Sequence, residues 1–162
     1  MILDVVVGGA GPKGLGVFAR RRFRRGEFIF RRRHGRVVHR HELSSLSPIE
    51  RRHLCELDAD RSAVLLPPGC YLNHSCDPNA MRSGVKVFAW RPIRPDEEIT
   101  IDYRLNALGG GASRCFCGGP SCTGTVRDDF FSLPPARQRA YLRYAPPYIK
   151  REYRRRSAQV SM

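Results

Sequence analysis

Short apolar strings separated by turn residues run through the first hundred positions of the chain. Val17-Phe18-Ala19, Phe28-Ile29-Phe30 and Val37-Val38 are divided by Arg-Gly and His-Gly pairs, the punctuation of short strands joined by tight turns. Val64-Leu65-Leu66, residues 85–90 and residues 99–103 continue the pattern, and Pro92 and Pro95 exclude a helix between the last two. One interruption reads as helical: Ser47-Pro48-Ile49-Glu50 has an N-cap serine, a proline at the first helical position and a glutamate closing a capping box. That helix is expected to run to about Leu57. A glycine-rich stretch, 108–113, is expected to end the β portion near residue 110. Beyond Asp129, a helical stretch over 136–144 is bracketed by Pro134-Pro135 and Pro146-Pro147. The expected fold is mainly β, with a short, basic helical tail.

At 162 residues the chain fits one domain with a real core and needs no disulfide framework. Hydrophobic residues make up 41%, with no run near the eighteen or so that span a membrane, so no membrane partner is expected. The start of the chain lacks a basic leader, so a cytoplasmic, nucleoid or chromatin-associated location is expected. Six cysteines in such a compartment favour thiolate or metal chemistry. The net charge of +14 comes from 26 Arg and 3 Lys, and reads either as a well-solvated surface or as attraction to nucleic acid, an acidic protein or anionic lipid. Arginines crowd residues 20–40 and 150–156, while acids gather at 56–60 and 96–102.

Four short strings carry chemistry. Cys115-Phe116-Cys117 and Cys122 place three thiols among glycines, a spacing that can fold around one zinc ion, with a fourth donor from Cys55, Cys70, Cys76 or a histidine. Residues 71–80, Tyr-Leu-Asn-His-Ser-Cys-Asp-Pro-Asn-Ala, concentrate hydrogen-bonding groups between apolar segments. Residues 96–103, Asp-Glu-Glu-Ile-Thr-Ile-Asp-Tyr, run from an acidic turn into a strand ending in a phenol. Lys13-Gly14-Leu15-Gly16 lets a ligand approach backbone closely, without the strand and helix frame of a dinucleotide fold.

In this order the four strings resemble the SET domain with its cysteine-rich post-SET segment, a resemblance covering roughly residues 5–126. It implies a β-clip-like fold of small sheets with a C-terminal pseudoknot. The implied divisions are a SET domain at 1–108, a post-SET zinc segment at 109–126 and a helical basic tail at 127–162. The implied activity is S-adenosylmethionine-dependent methylation of a lysine in a protein substrate, with S-adenosylhomocysteine as product. By position, Lys13, Gly14, Leu15 and Gly16 would line the cofactor through main chain, Asn73 and His74 would hold its two ends, and Phe116 would cover the adenine. Tyr103 matches the catalytic tyrosine, with Tyr71 secondary to it. Ile101 falls in the lysine pocket, where an apolar residue predicts di- or trimethylation. Cys76 takes the position of the fourth zinc ligand beside Cys115, Cys117 and Cys122, leaving Cys55 and Cys70 as buried small residues. Where the family carries an aromatic pocket wall, this chain has Arg32-Arg33-His34-Gly35-Arg36. That departure supports an alternative in which the fold serves as a basic, zinc-containing binding module with little or no activity.

Overall fold

The computed structural model describes residues 4–58 and 60–160. In chain order the first elements are β1 (Val5–Gly9), β2 (Leu15–Ala19), β3 (Phe28–Arg31), β4 (Arg33–His39), α1 (Pro48–Arg52), β5 (Leu54–Glu56) and β6 (Arg61–Leu66). They are followed by β7 (Asn73–His74), β8 (Ala80–Ser83), β9 (Lys86–Ala89), β10 (Glu98–Ile101), β11 (Ala112–Arg114), β12 (Thr125–Arg127), α2 (Pro135–Leu142) and α3 (Pro147–Val160). Among the described residues, no helix is long and apolar enough to cross a membrane.

The strands form small sheets in the orders β1-β2-β10-β7, β3-β9-β8, β4-β6-β5 and β11-β12. Most pairs are antiparallel, but β7 runs parallel to β10, with Asn73 opposite Thr100 and His74 opposite Ile101. That one parallel contact lays two of the four chemical strings side by side. The apolar strings fill the core beneath: Val17, Phe23, Ile93 and Ile99 are wholly buried.

The helix at Ser47 begins as its sequence dictates. The Ser47 hydroxyl accepts from the Glu50 N–H at 3.3 Å, and the Glu50 carboxylate accepts from the Ser47 N–H at 2.9 Å. It ends at Arg52 and not near Leu57, because Leu54, Cys55 and Glu56 pair with Val64, Ala63 and Ser62 of β6. Sheet pairing overrides local helix propensity there. The strand expected to reach Tyr103 also stops early, at Ile101. The Asp102 carboxylate accepts the Arg104 N–H at 3.1 Å and starts a turn of 3-10 helix over Tyr103–Asn106. The glycine-rich stretch does not close the β structure, since Ala112–Arg114 and Thr125–Arg127 form a hairpin around the cysteine loop.

Past the hairpin the chain builds a second core. Met81, Leu105, Phe130, Leu133, Tyr141, Ala145 and Ile149 pack together, so β8 and the Tyr103 turn share apolar contacts with both tail helices. Ile149 is fully buried, which contributes roughly 1.5–3 kcal/mol for that side chain alone. The expected helix over 136–144 is α2 at Pro135–Leu142, and the basic stretch after Pro146 forms the longer α3.

Candidate active site and cysteine cluster

Tyr103 sits where β10 turns into the 3-10 helix, and two contacts fix it. Its backbone N–H donates to His74 Nδ1 at 3.2 Å, and its hydroxyl donates to the Leu72 carbonyl at 2.6 Å. Beneath it, Asp102 is 1% exposed and takes a two-point ion pair from Arg104, at 2.8 Å for each contact. The phenol is pushed up to about 12, first by burial and then by the negative fields of Asp128 and Glu98. Although the residue as a whole is 40% exposed, its hydroxyl is turned onto the buried Leu72. It is a neutral hydrogen-bonding group at physiological pH.

The glycine string approaches from the other side. Gly14 has φ of +82°, a conformation that L side chains rarely adopt, and its carbonyl accepts from the Ala10 N–H at 2.7 Å to close the turn. At Gly16 a Cβ would come within 2.7 Å of the Glu98 carboxylate, 2.9 Å of Ala10 Cβ and 3.2 Å of Asn73 Nδ2. Asn73 uses the space so created: its amide donates to the Leu15 carbonyl at 2.9 Å and to Glu98 at 2.8 Å. Lys13 completes the knot with an ion pair to Glu98. Glu98 was legible in the acidic string only as turn chemistry, yet it ties Lys13, Asn73 and β10 together. Asn79 does similar work: its side chain donates to the Glu98 carbonyl at 2.7 Å and accepts from the Thr100 N–H at 2.9 Å.

These elements leave two cavities that meet at Tyr103. One, of about 280 Å³, is lined by Lys13, Asn73, His74, Tyr103 and Phe116, along with Arg114, whose guanidinium lies 4.9 Å from the Phe116 ring centroid. The other, of about 210 Å³, is lined by Leu72, Ile101 and Tyr103, with Cys70, Glu56 and Asp128 also in its wall. Asp128 is held above its usual range, mainly by burial, and its Oδ1 has no hydrogen-bond partner among the described residues. Gly14, Leu15 and Gly16 shape the first cavity's surroundings without lining it. Tyr71 lines neither cavity; it packs edge-on against His53 with ring centroids 5.5 Å apart. The acidic residues nearest the second cavity are therefore Glu56 and Asp128, while Glu97 and Glu98 are engaged with Asn79, Arg91, Asn73 and Lys13.

Cys76, Cys115, Cys117 and Cys122 gather behind His74, their four sulfurs all within 4.8 Å of one another. Zinc held tetrahedrally by thiolates at about 2.3 Å sets sulfurs about 3.8 Å apart, and Cys76 and Cys115 stand at 4.0 Å. Burial raises the Cys117 thiol, but N–H groups of Cys76 and Gly119, together with hydrogen bonds from Cys115 and Cys122, outweigh it and bring it down to about 6. The donor set and its spacing fit zinc. His74 Nδ1 accepts from the Tyr103 backbone, so the ring proton sits on Nε2, 3.4 Å from the Cys76 sulfur. That ring links the cysteine cluster to the turn holding Tyr103. The tail reinforces the cluster through Arg137, which donates to the Cys76 carbonyl and pairs with Asp77 at 3.2 Å. Of the two cysteines left over, Cys55 is buried as expected, whereas Cys70 is only half-buried.

The chain is similar to known proteins over part of their length. A histone-lysine N-methyltransferase of Mycosarcoma maydis, named as H3 lysine-36 specific, is 41% identical over 66 residues, 36% of this chain and 7% of the relative. The histone-lysine N-methyltransferase Set2 of Drosophila melanogaster is 42% identical over 64 residues, 35% of this chain and 3% of the relative. An H3 lysine-36 specific enzyme of Eremothecium gossypii aligns at 29% identity with 96% of this chain, which spans 26% of that relative. The solved methyltransferase domain of human histone-lysine N-methyltransferase SETMAR shares the fold, at a TM-score of 0.61 and 21% identity, covering 80% of this chain and 60% of that one. The SET domain profile matches residues 14–104, more than half of the chain and the whole span from Gly14 to the Tyr103 turn. The chain belongs to the SET domain family.

Proposed function

We propose that the chain is an S-adenosylmethionine-dependent protein-lysine N-methyltransferase. The observation that carries this reading is the position of Tyr103, shared by two cavities of different character. The cavity with Lys13, Asn73, His74 and Phe116 has the cation, amides and exposed aromatic face suited to an amino acid joined to a purine nucleoside. The cavity with Ile101 and Leu72 suits the aliphatic stem of a lysine.

When bound, the cofactor supplies a methyl group on a positive sulfonium. The chain's own residues place the nucleophile. A lysine amine has a reference pKa near 10.4, and burial between Leu72 and Ile101, with Arg32 and Arg82 in the same wall, disfavours its charged form. Because the Tyr103 proton is committed to the Leu72 carbonyl, the phenol oxygen has lone pairs free to accept from the amine and orient it. Holding nucleophile, methyl and leaving sulfur in line then supplies much of the acceleration. Cys76, Cys115, Cys117 and Cys122 would hold a zinc ion whose role is to fix the loop bearing Phe116 against His74.

The relatives' names point to histone lysines, while the net charge of +14 opposes approach of a free basic tail at low salt. A substrate presented on nucleic acid, or with acidic neighbours, resolves that conflict, and exposed arginines such as Arg151, Arg154 and Arg155 on α3 support contact with nucleic acid. The test is transfer of labelled methyl to protein lysines, comparing nucleosomes with free histones. Tyr103→Phe should reduce turnover by about a hundredfold while cofactor affinity stays within a few-fold of the parent. Absence of cofactor binding by calorimetry would overturn the reading and leave a basic binding module.

A further inference from the structure

A third cavity, of about 380 Å³, shares Arg32, Cys55 and Arg82 with the Tyr103 channel and takes part of its remaining wall from Arg143 and Lys150 of the tail. Arg32 and Arg82 are 4% and 8% exposed. Their Nη1 atoms donate to the same sulfur, Cys55 Sγ, at 3.4 Å and 3.6 Å, and Arg32 also donates to the Gly84 carbonyl at 3.0 Å. Neither guanidinium meets a carboxylate within ion-pair distance among the described residues. Three buried nitrogens of the lining, Arg32 Nε, Arg82 Nε and His34 Nε2, have no hydrogen-bond partner there either.

Two buried guanidinium groups beside one another, without acid partners, are costly. An unmet buried N–H loses its hydration without replacement, and a buried charge without a counter-charge loses more. Water could meet the N–H groups but not the charge. Glu56 is the one acid lining this cavity among the described residues, against four formal cations: Arg32, Arg82, Arg143 and Lys150. The excess is larger than a single carboxylate would balance, and the planar guanidinium fork matches a phosphoryl group.

We propose that this cavity is a binding site for a phosphate-type oxyanion, held by the charge of the Arg32 and Arg82 guanidinium groups in its wall, with His34 and Lys150 around it. Neighbouring groups already register the positive field. His34 is held below its ordinary value by burial and then by Arg32 and Arg82. Burial would raise the Cys55 thiol, yet the same two arginines outweigh it and lower it. Such an oxyanion has two sources, free inorganic phosphate or a phosphorylated side chain.

The experiment titrates the full chain with inorganic phosphate and, separately, with phosphoserine, each against sodium chloride at equal ionic strength. Binding is read by calorimetry and by the rate at which iodoacetamide alkylates Cys55, located by mass spectrometry. Saturable phosphate binding with slowed alkylation is expected, and affinity should fall at least tenfold in a His34→Ala, Lys150→Ala double variant. Arg82→Met should abolish binding if that variant folds, and the double variant decides the matter if it does not. Phosphoserine binding as well as phosphate identifies a side-chain source, and binding of phosphate alone identifies the free ion. No effect beyond chloride, or equal affinity in the double variant, overturns the proposal.

Discussion

Four of the six cysteines stand sulfur to sulfur behind His74, while Cys55 stands apart with two guanidinium groups against it. The two settings have opposite electrical demands. In the quartet, burial and the neighbouring sulfurs push the Cys76 thiol up, because adjacent thiolates repel unless a cation lies between them. At Cys55 the neighbours are cations, and it is negative charge that the site favours. Cysteine behaviour in this chain follows from what the fold brings up against each sulfur, not from sulfur chemistry alone.

The sharpest way to separate the two settings is to remove one sulfur from each. Cys115→Ser should reduce bound zinc from about one ion per chain to near zero, with loss of methyl transfer and of cooperative melting; elemental analysis and calorimetry read both. Cys55→Ala should leave metal content unchanged and cost about 1–3 kcal/mol in urea unfolding, because Arg32 and Arg82 lose a shared partner. Equal metal loss in the two variants would collapse the distinction. Asp128, another group of the Tyr103 channel, offers the smallest and most directional effect. Its carboxyl is raised on folding, so the stability it lends is complete below the unfolded value near 3.9 and is lost as pH climbs through the folded one. Asp128→Asn, which never ionises, should gain on the parent from about pH 4 upward, by less than about 1 kcal/mol. An unchanged difference between pH 3 and pH 8 would show that the carboxyl is solvated.

The same contrast explains what could be read before the fold. Asn73, His74, Cys76, Tyr103 and the late cysteines lie in strings whose order carries a family resemblance, and it was that resemblance that implied their common site, since spacing alone left the fourth zinc ligand open. Arg32, Cys55 and Arg82 lie 23 and 27 positions apart; Arg32 joins β3 to β4, and so the sheet that carries Arg82 to the sheet that carries Cys55. Among 26 arginines, nothing in composition marks two as buried. The Arg32–Arg36 departure was visible as a missing aromatic wall, but not as a cationic one. In the tail, α3 falls within the expected helical basic segment, but two prolines and a run of basic residues left its bounds unread. The spacing of Ile149 and Tyr153, one helical turn apart, was the available signal, and both pack into the second core or against it.

That second core also sets a timetable. Met81 and Leu105 find their apolar partners in Phe130, Tyr141 and Ile149, segments made after them on the ribosome, and Arg137 reaches back to the cysteine cluster only once α2 exists. Until synthesis has passed about residue 149, the strand after His74 and the turn carrying Tyr103 have an uncovered flank. Contacts so distant along the chain close slowly, so newly made molecules pass through an interval in which they hold their motifs but not yet their site.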